Sequence, residues 1–254
     1  MRFICLVMVL FLAGCASEFN LATQQEESLI YGTEKEIKIG EAMARQFNSH
    51  FTLNTDIDVN DRVERIFNRI VDVCDRKDLV YTIKVIDEDK LNAVSLPGGY
   101  VYVYKGIIDK AKSDDEIAGV IAHEVGHIGA RHSIKRLQTS YGYALLELVA
   151  VGTQNTKLAQ GVNAAFMSVF LKYSRQDEFE ADRLGVKYLK KAGFDPNAMV
   201  AMLSILKKEE DKAPAQEVSY WRTHPYLTER MAMVNQEING TLEFKDYLDL
   251  TGNE

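Results

Sequence analysis

The sequence predicts an α+β fold that is mainly helical, with a small β-sheet beside a helix that carries the pattern His-Glu-x-x-His. Apolar residues recur every three or four positions in several long segments, which is the period of an α-helix. Short β-branched or apolar runs occur before and after Pro97-Gly98-Gly99, which is typical of strands joined by a turn. The pattern at 123–127 lies within an apolar helical run.

The first half of the chain is predicted to hold two helices followed by three strands. The second helix shows the clearest period, because Val63, Ile66 and Ile70 fall on one face. The β-branched segment at 81–86, which follows this helix, alternates in polarity as a half-buried strand does. The predicted elements are helices over 34–50 and 60–74 and strands over 81–86, 91–96 and 100–104.

The second half is predicted to be helical. Ser113 and Glu116 form a capping-box pattern that begins the helix containing the histidines. Gly193 is expected to end a later helix and Pro196 to begin the next one. Two apolar runs lie between the histidine helix and the helix that ends at Gly193. They are interpreted as a helical hairpin, because each is shorter than the roughly 17 residues of the shortest membrane span. The predicted helices are 113–136, 141–151, 158–173, 177–191, 196–208 and 227–238.

Composition points to one folded domain after a targeting segment. The chain has 254 residues, 46% of them hydrophobic, and a formal net charge of −7. Its basic residues form no run longer than pairs such as Lys190-Lys191. Nucleic acid is therefore not expected as a partner, since phosphate binding needs clustered positive charge.

Residues 1–14 are predicted to be a lipoprotein signal peptide. Arg2 supplies a positive charge, and the apolar run at 3–12 suits a signal-peptide core but is too short to span a bilayer. Leu12-Ala13-Gly14-Cys15 resembles a bacterial lipobox, in which the Cys is lipidated and becomes the new N-terminus. The alternative is a plain secretory signal followed by a chance Cys.

This interpretation predicts a membrane-anchored, soluble domain. Cys15 is expected to carry lipid, residues 15–30 to form a polar tether, and residues 31–254 to form the domain. Each buried methylene of an acyl chain contributes about 0.8 kcal/mol, so multiple acylation anchors a protein without a spanning helix. Ala16 follows the Cys, where an Asp would signal retention in the inner membrane, so we expect the periplasmic face of the outer membrane.

His123, Glu124 and His127 are predicted to form the core of a zinc site. Four residues turn a helix by about 400°, so the two imidazoles project from one face about 40° apart. That spacing lets both bind one zinc ion. Glu124 could then act as general base toward a water that zinc has made acidic. The alternative is a chance match on a core helix.

His132 is the nearest candidate for a third ligand, but its spacing does not fit. The extended pattern H-E-x-x-H-x-x-G-x-x-H would place Gly at 130 and His at 133, where this chain has Ala130 and Ser133. On a continuous helix His132 would lie about 140° from His127. We therefore expect His132 to be structural.

Glu178 is the better candidate for the third ligand. It shares a helix face with Asp182, four residues later, whereas Glu180 points elsewhere. Asp182 could accept a hydrogen bond from a ligating imidazole and so fix its orientation. The alternative is an acidic, solvated start of a helix, which the helix dipole also favours.

The ordered set of these motifs resembles the HtpX and CAAX-prenyl-protease family of gluzincin metallopeptidases, in particular its small periplasmic lipoprotein branch. The resemblance covers about residues 30–238, and the chain lacks the four spanning helices of the integral members and the helical-repeat domain of the larger periplasmic ones. The motifs are the lipobox, Asn92-Ala93, Leu96-Pro97-Gly98-Gly99-Tyr100, 115–132, Ser174-Arg175, 178–182, 193–196, Thr223-His224-Pro225 and Arg230.

The resemblance implies a zincin-like fold and a role for each motif. Glu178 would be the third ligand of one zinc ion, with Asp182 as its supporting partner, and the strand at Asn92 and Ala93 would bind substrate backbone by strand addition. His224 would lie near the zinc, as a fourth ligand at rest or as a donor to the oxyanion. A loop histidine without a role is the alternative, and Arg230 could pair with an acid near the site.

The expected function is zinc-dependent cleavage of misfolded or misassembled envelope proteins. Two rivals stay open. The first is a zinc-stabilised chaperone-like or binding lipoprotein with low or self-inhibited peptidase activity, which a fourth ligand at His224 would favour. The second is a structural lipoprotein with an inert His-Glu-x-x-His pattern, which absence of bound zinc would favour.

Overall fold

The structure is a computed structural model, and it describes residues 16–29, 31–141 and 172–240. The predicted signal peptide, Cys15 and nearly all of the helical hairpin predicted over 141–173 lie outside these residues. Within the described residues the fold is mainly helical with two small sheets, and the predicted α+β class is confirmed.

Most of the described helices begin and end within a few residues of their predicted bounds. Two short ones, α3 and α8, were not predicted. None of the described helices combines the length and the apolar content needed to cross a membrane. The helices are α1 Thr33–His50, α2 Ile57–Val71, α3 Lys105–Lys110, α4 Asp114–Gly129, α5 His132–Tyr141, α6 Arg175–Ala192, α7 Asn197–Lys212, α8 Tyr220–Thr223 and α9 Leu227–Asn239.

Three strands form the sheet that lies beside α4. They are β3 Thr82–Ile86, β4 Ala93–Leu96 and β5 Tyr100–Tyr104, in the order β3-β5-β4. β5 pairs parallel to β3 and antiparallel to β4, so β4 lies at an edge. Gly98 and Gly99 make the predicted turn between β4 and β5 with φ of 78° and 98°, a region that glycine adopts without steric cost.

Helix α4 lies at the centre of the domain. Every residue from Glu116 to Gly129 is buried, and the helix packs against α2, α6, α7 and β4. A helix covered on all sides carries apolar residues all round, which explains the apolar run before His123. The histidine pattern therefore lies in the core of the protein.

The segment before α1 differs from the polar tether expected over residues 15–30. Residues 16–29 form an antiparallel hairpin of β1 Ala16–Asn20 and β2 Gln25–Leu29. The hairpin docks on the domain because Asn20, at its turn, is buried and donates from Nδ2 to the Gly129 carbonyl at 3.0 Å. Ala22 and Leu29 are buried with it.

The helix predicted to run to Arg136 is interrupted. Helix α4 ends at Gly129, and Arg131 has a φ of 59°, which redirects the chain before α5 begins at His132. Left-handed backbone is unfavourable for a residue with a side chain. The Arg131 guanidinium donates to both carboxylate oxygens of Glu18, at 2.7 and 3.0 Å, so the hairpin stabilises this turn.

Candidate metal centre

Helix α4 brings together the imidazoles of His123 and His127. Their Nε2 atoms lie 3.0 Å apart, and both rings are buried. Burial lowers the pKa of both imidazoles, and the Arg230 cation lowers the pKa of His123 further. Both rings are therefore neutral at pH 7, the state in which imidazole binds a metal.

Helix α6 supplies the carboxylate of Glu178. Its oxygens lie 3.5 Å from Nε2 of His123 and 3.4 Å from Nε2 of His127. The helix starts at a reciprocal capping box, in which Ser174 and Asp177 each accept the other's backbone N–H. The structure thus brings together the three residues that the sequence predicts as ligands.

Two glycines let α4 and α6 approach closely enough for Glu178 to lie beside His123 and His127. A Cβ atom at Gly126 would lie only 2.5 Å from the carbonyl oxygen of Ala181, and one at Gly185 would lie 3.2 Å from the backbone nitrogen of His123. The two backbones are therefore almost in contact. This close packing sets the distance between Glu178 and the histidine pair.

His224 is the fourth member of the cluster. Its Nδ1 lies 3.1 Å from Oε1 of Glu178 and 3.3 Å from Nε2 of His123. The ligand atoms of His123, His127, Glu178 and His224 all lie within 4.8 Å of one another, and all four residues are buried. Imidazole nitrogens together with a carboxylate oxygen are a donor set that suits zinc.

Glu124 lies beside this cluster. The residue has no exposed surface, and its two carboxylate oxygens make no hydrogen bond within the described part of the chain. Oε1 lies 3.4 Å from Nε2 of His224. A buried carboxylate without a donor is costly, so this group fits a site that receives a water molecule or substrate.

Asp182 and Arg230 hold two members of the cluster, His123 and Glu178, through hydrogen bonds and ion pairs. Oδ1 of Asp182 lies 2.7 Å from Nδ1 of His123, which is the contact predicted from the helix spacing. The acids that pair with Arg230 could not be identified from sequence, and they are Asp182 and Glu178. The guanidinium donates to both oxygens of Asp182, at 2.8 and 2.7 Å, and Nη1 lies 2.7 Å from Oε2 of Glu178.

These contacts keep both acids ionised. Burial alone would raise the pKa of Glu178 and Asp182. The Arg230 cation, together with the contacts from the neighbouring histidines, outweighs burial and holds both pKa values below the usual range. The pKa of Glu178 is lowered the more strongly, and His224 contributes to it. An ionised Glu178 is the form that binds a cation.

His132 lies close to the centre, whereas on a continuous helix it was expected to project away from His127. Its Nδ1 is 2.8 Å from Nδ1 of His127, and its Nε2 is 3.2 Å from Oε2 of Glu180. The break at Arg131 causes the difference, because it turns His132 back toward α4. His132 is not one of the four residues whose ligand atoms cluster, so its exclusion as a ligand stays a prediction.

Asn92 and Ala93 lie where β4 begins, at the outer edge of the sheet. The Tyr104 N–H donates to the Asn92 carbonyl, so the backbone groups of Ala93 and Ser95 face the outer edge. The Ser133 hydroxyl donates to the Ser95 carbonyl at 3.0 Å. The predicted substrate strand is thus an edge strand, in which the outward N–H of Ala93 donates to Oδ1 of Asn92 at 3.0 Å and the outward carbonyl of Ser95 accepts from Ser133.

The sequence analysis missed two tyrosines that cover the cluster. Tyr173 stacks on His127, with ring centroids 4.0 Å apart and planes at 22°, and Tyr220 stacks on His224 at 4.5 Å and 24°. The Tyr173 N–H also donates to the Thr223 carbonyl at 3.0 Å. Tyr173 directly precedes the Ser174-Arg175 motif, and Tyr220 lies three residues before Thr223-His224-Pro225; this proximity to predicted motifs was the available signal.

Comparison with known proteins agrees with this geometry. Residues 58–238 match the sequence model of peptidase family M48. That range includes all four residues of the cluster, together with Glu124, Asp182 and Arg230.

Several known proteins are similar to this chain over most of its length. The mitochondrial metalloendopeptidase OMA1 of Schizosaccharomyces pombe is 29% identical over 174 residues, which are 68% of this chain and 51% of that protein. The putative beta-barrel assembly-enhancing protease of Vibrio cholerae is 28% identical over 209 residues, which are 78% of this chain and 43% of that protein. The Escherichia coli K12 beta-barrel assembly-enhancing protease is 24% identical over 230 residues, which are 87% of this chain and 47% of that protein. The chain spans about half the length of these relatives.

Proposed function

This chain belongs to peptidase family M48, and we propose that it is a zinc-dependent endopeptidase of the cell envelope. Its substrates would be misfolded or misassembled envelope proteins. One observation carries the proposal: two neutral imidazoles and an ionised carboxylate converge beside Glu124, a buried carboxylate that has no hydrogen-bond donor among the described residues.

Zinc is the metal that the donor set favours. His123, His127 and Glu178 are the two imidazoles and one carboxylate found in catalytic zinc sites, which keep a further position for water or substrate. Bound there, zinc would supply a Lewis acid that polarises the scissile carbonyl.

The protein's own groups would move the protons. Glu124 would remove a proton from the attacking water and deliver it to the nitrogen of the leaving amine. Arg230 and Asp182 would hold His123 in place, through contacts of 2.7 and 2.8 Å. The outer edge of β4 at Ala93 would hold an extended substrate by backbone hydrogen bonds.

The envelope location rests on resemblance and on the N-terminal sequence. Two of the relatives are named beta-barrel assembly-enhancing proteases, whereas the OMA1 relative is mitochondrial. The lipobox at Cys15 favours the bacterial envelope. We infer a lipid-anchored protein on the periplasmic face of the outer membrane, with unfolded envelope proteins as its partners.

A second candidate function is favoured by His224. Closed zinc sites with four protein ligands are structural, whereas catalytic sites leave one position open. His224 places a fourth donor 3.1 Å from Glu178. A zinc-stabilised, chaperone-like lipoprotein, or a peptidase that inhibits itself at rest, would have this arrangement.

The test compares the wild type with Glu124→Gln on unfolded casein, after elemental analysis has shown equal zinc content. Loss of the proton acceptor should slow cleavage by about 10²–10⁴-fold, because the amide keeps the size of the side chain but cannot take a proton. Glu64→Gln, on the exposed face of α2, is the matched control. Equal cleavage by Glu124→Gln and the wild type would reject the role of Glu124.

A wild type that binds zinc but cleaves neither casein nor an unfolded envelope protein would favour the chaperone-like alternative. A wild type that binds no zinc would favour the inert structural lipoprotein. Chelator-sensitive cleavage that returns on adding zinc would support the endopeptidase.

A further inference from the structure

The two clustered histidines of α4 are held by different partners. Nδ1 of His123 contacts the carboxylate of Asp182 at 2.7 Å. Nδ1 of His127 instead contacts the imidazole of His132 at 2.8 Å. Both His127 and His132 are buried, so water does not compete for this contact.

The contact between His127 and His132 fixes where the protons lie. If Nε2 of His127 faces a metal, its proton must be on Nδ1, which then donates to Nδ1 of His132. A neutral His132 then carries its proton on Nε2. That nitrogen lies 3.2 Å from Oε2 of Glu180, a carboxylate that accepts it. With Nε2 of His127 facing a metal and His132 neutral, the protons therefore run one way: His127 donates to His132, and His132 donates to Glu180.

The backbone at Arg131 serves this arrangement. A continuous helix would carry His132 about 140° away from His127. The left-handed φ of 59° at Arg131 returns it to the same side. Such a conformation is strained for a residue other than glycine. Here it is braced by Glu18 and by the Asn20 contact to the Gly129 carbonyl.

We propose that His132 is a positioning residue of the metal centre, which holds His127 in the Nδ1–H form with Nε2 facing Glu178, and that Glu180 holds His132 in turn. The proposal rests on the proposed function, since it takes His127 as a metal ligand. It assigns His132 no contact with metal or substrate. Partners of this kind orient a ligand and raise its affinity for the metal.

The first test measures zinc affinity in competition with a chromophoric chelator. His132→Leu removes the acceptor, and zinc should bind about 10–100-fold more weakly. His132→Asn keeps an acceptor oxygen close to the position of Nδ1, and should recover most of that loss. His50→Gln, at the exposed end of α1, is the control and should bind zinc as the wild type does.

The second test needs no metal. Nitrogen-15 NMR of the metal-free protein should show His127 as the Nδ1–H tautomer, which is the minor form of the free histidine side chain. His132→Leu should lose this preference and His132→Asn should keep it. A residue that merely fills the core would leave the tautomer unchanged.

Two results would overturn the proposal. The first is a His132→Leu protein that binds zinc within about twofold of the wild type with the His127 tautomer unchanged. The second is a His132→Asn protein as impaired as His132→Leu. Should His132→Leu fail to fold, Glu180→Leu replaces it, because that side chain is 21% exposed. Unchanged zinc affinity in Glu180→Leu would then reject the contact chain.

These outcomes are separate from failure of the proposed function. If the wild type binds no zinc, the metal site itself is rejected. If the wild type binds zinc and His132→Leu binds it equally well, only the positioning role is rejected.

Discussion

His224 lies against the group proposed as general base, with its Nε2 3.4 Å from Oε1 of Glu124. The other nitrogen of the same ring is 3.1 Å from Glu178. The imidazole therefore occupies the space between the two carboxylates, where the attacking water and the scissile carbonyl would have to lie. Under the proposed mechanism, the ring would have to leave before substrate could bind.

Replacing His224 with Ala should therefore raise the rate of casein cleavage, by about threefold or more, since a competing ligand is removed. The assay compares initial rates at equal zinc content. Arg222→Gln, an exposed neighbour in α8, should cleave at the wild-type rate. A loss of about 100-fold or more in His224→Ala would instead make His224 a donor to the oxyanion.

His127→Ala should lose stoichiometric zinc, because one imidazole of the two-histidine pair is gone. Elemental analysis after gel filtration checks this. The metal-free melting temperature shows whether the fold has survived. Full zinc occupancy in His127→Ala would contradict the ligand assignment.

Gly126→Ala should weaken both the fold and the metal site. The new Cβ would lie 2.5 Å from the carbonyl oxygen of Ala181, so α4 and α6 must separate. Overpacking of this kind typically costs about 1–3 kcal/mol, and Glu178 should move away from the histidines. Urea titration and zinc competition measure the two effects. Gly32→Ala has no atom within 4 Å of the new Cβ and should leave zinc affinity unchanged.

Arg76→Met should destabilise the protein far more than loss of a surface ion pair. Arg76 and Glu36 are 2.9 Å apart with side chains only 5% and 2% exposed. Removing the cation leaves a buried charge, which typically costs about 3–5 kcal/mol. Lys38→Met, which breaks the exposed contact with Glu34, should cost less than about 1 kcal/mol. Equal unfolding free energies for the two variants would contradict the prediction.

Asp78→Asn should show a penalty that depends on pH. Burial would raise the pKa of Asp78, but the hydrogen bonds and the charge of Arg76, together with the hydrogen bond from Thr33, outweigh burial and lower the pKa below its ordinary value. The stabilisation is therefore present above about pH 4 and is lost as pH falls through the folded-state pKa. Since Asp78 is 43% exposed, the penalty should be about 1 kcal/mol or less. Urea unfolding at about pH 6 and pH 3 checks that it shrinks in acid; a penalty that grows would refute the sign.

The shared direction of the side chains within each helix could be predicted from sequence because it depends on helical phase. His123 with His127, and Glu178 with Asp182, are four residues apart, so each pair faces one way whatever surrounds the helix. Strong local signals also placed the helix bounds, as at Gly193, where φ is 74°.

The hairpin at 16–29 and the break after Gly129 could not be predicted, because both depend on distant contacts. Arg131 is held by Glu18, 113 residues earlier in the chain. No local preference of arginine favours a positive φ. Once the break is missed, His132 is placed on the wrong side of the helix. The role of Arg230 was hidden in the same way, since Asp182 is 48 residues away.

The stacking of Tyr173 on His127 and of Tyr220 on His224 has a consequence for turnover. Under the proposed function, a polypeptide would have to displace these two rings to reach Glu124. The rate at which a protein is degraded would then depend on how often the rings are displaced and on how long an extended segment stays nearby. Polypeptides whose local openings close quickly would escape, whatever residue stands at the scissile bond.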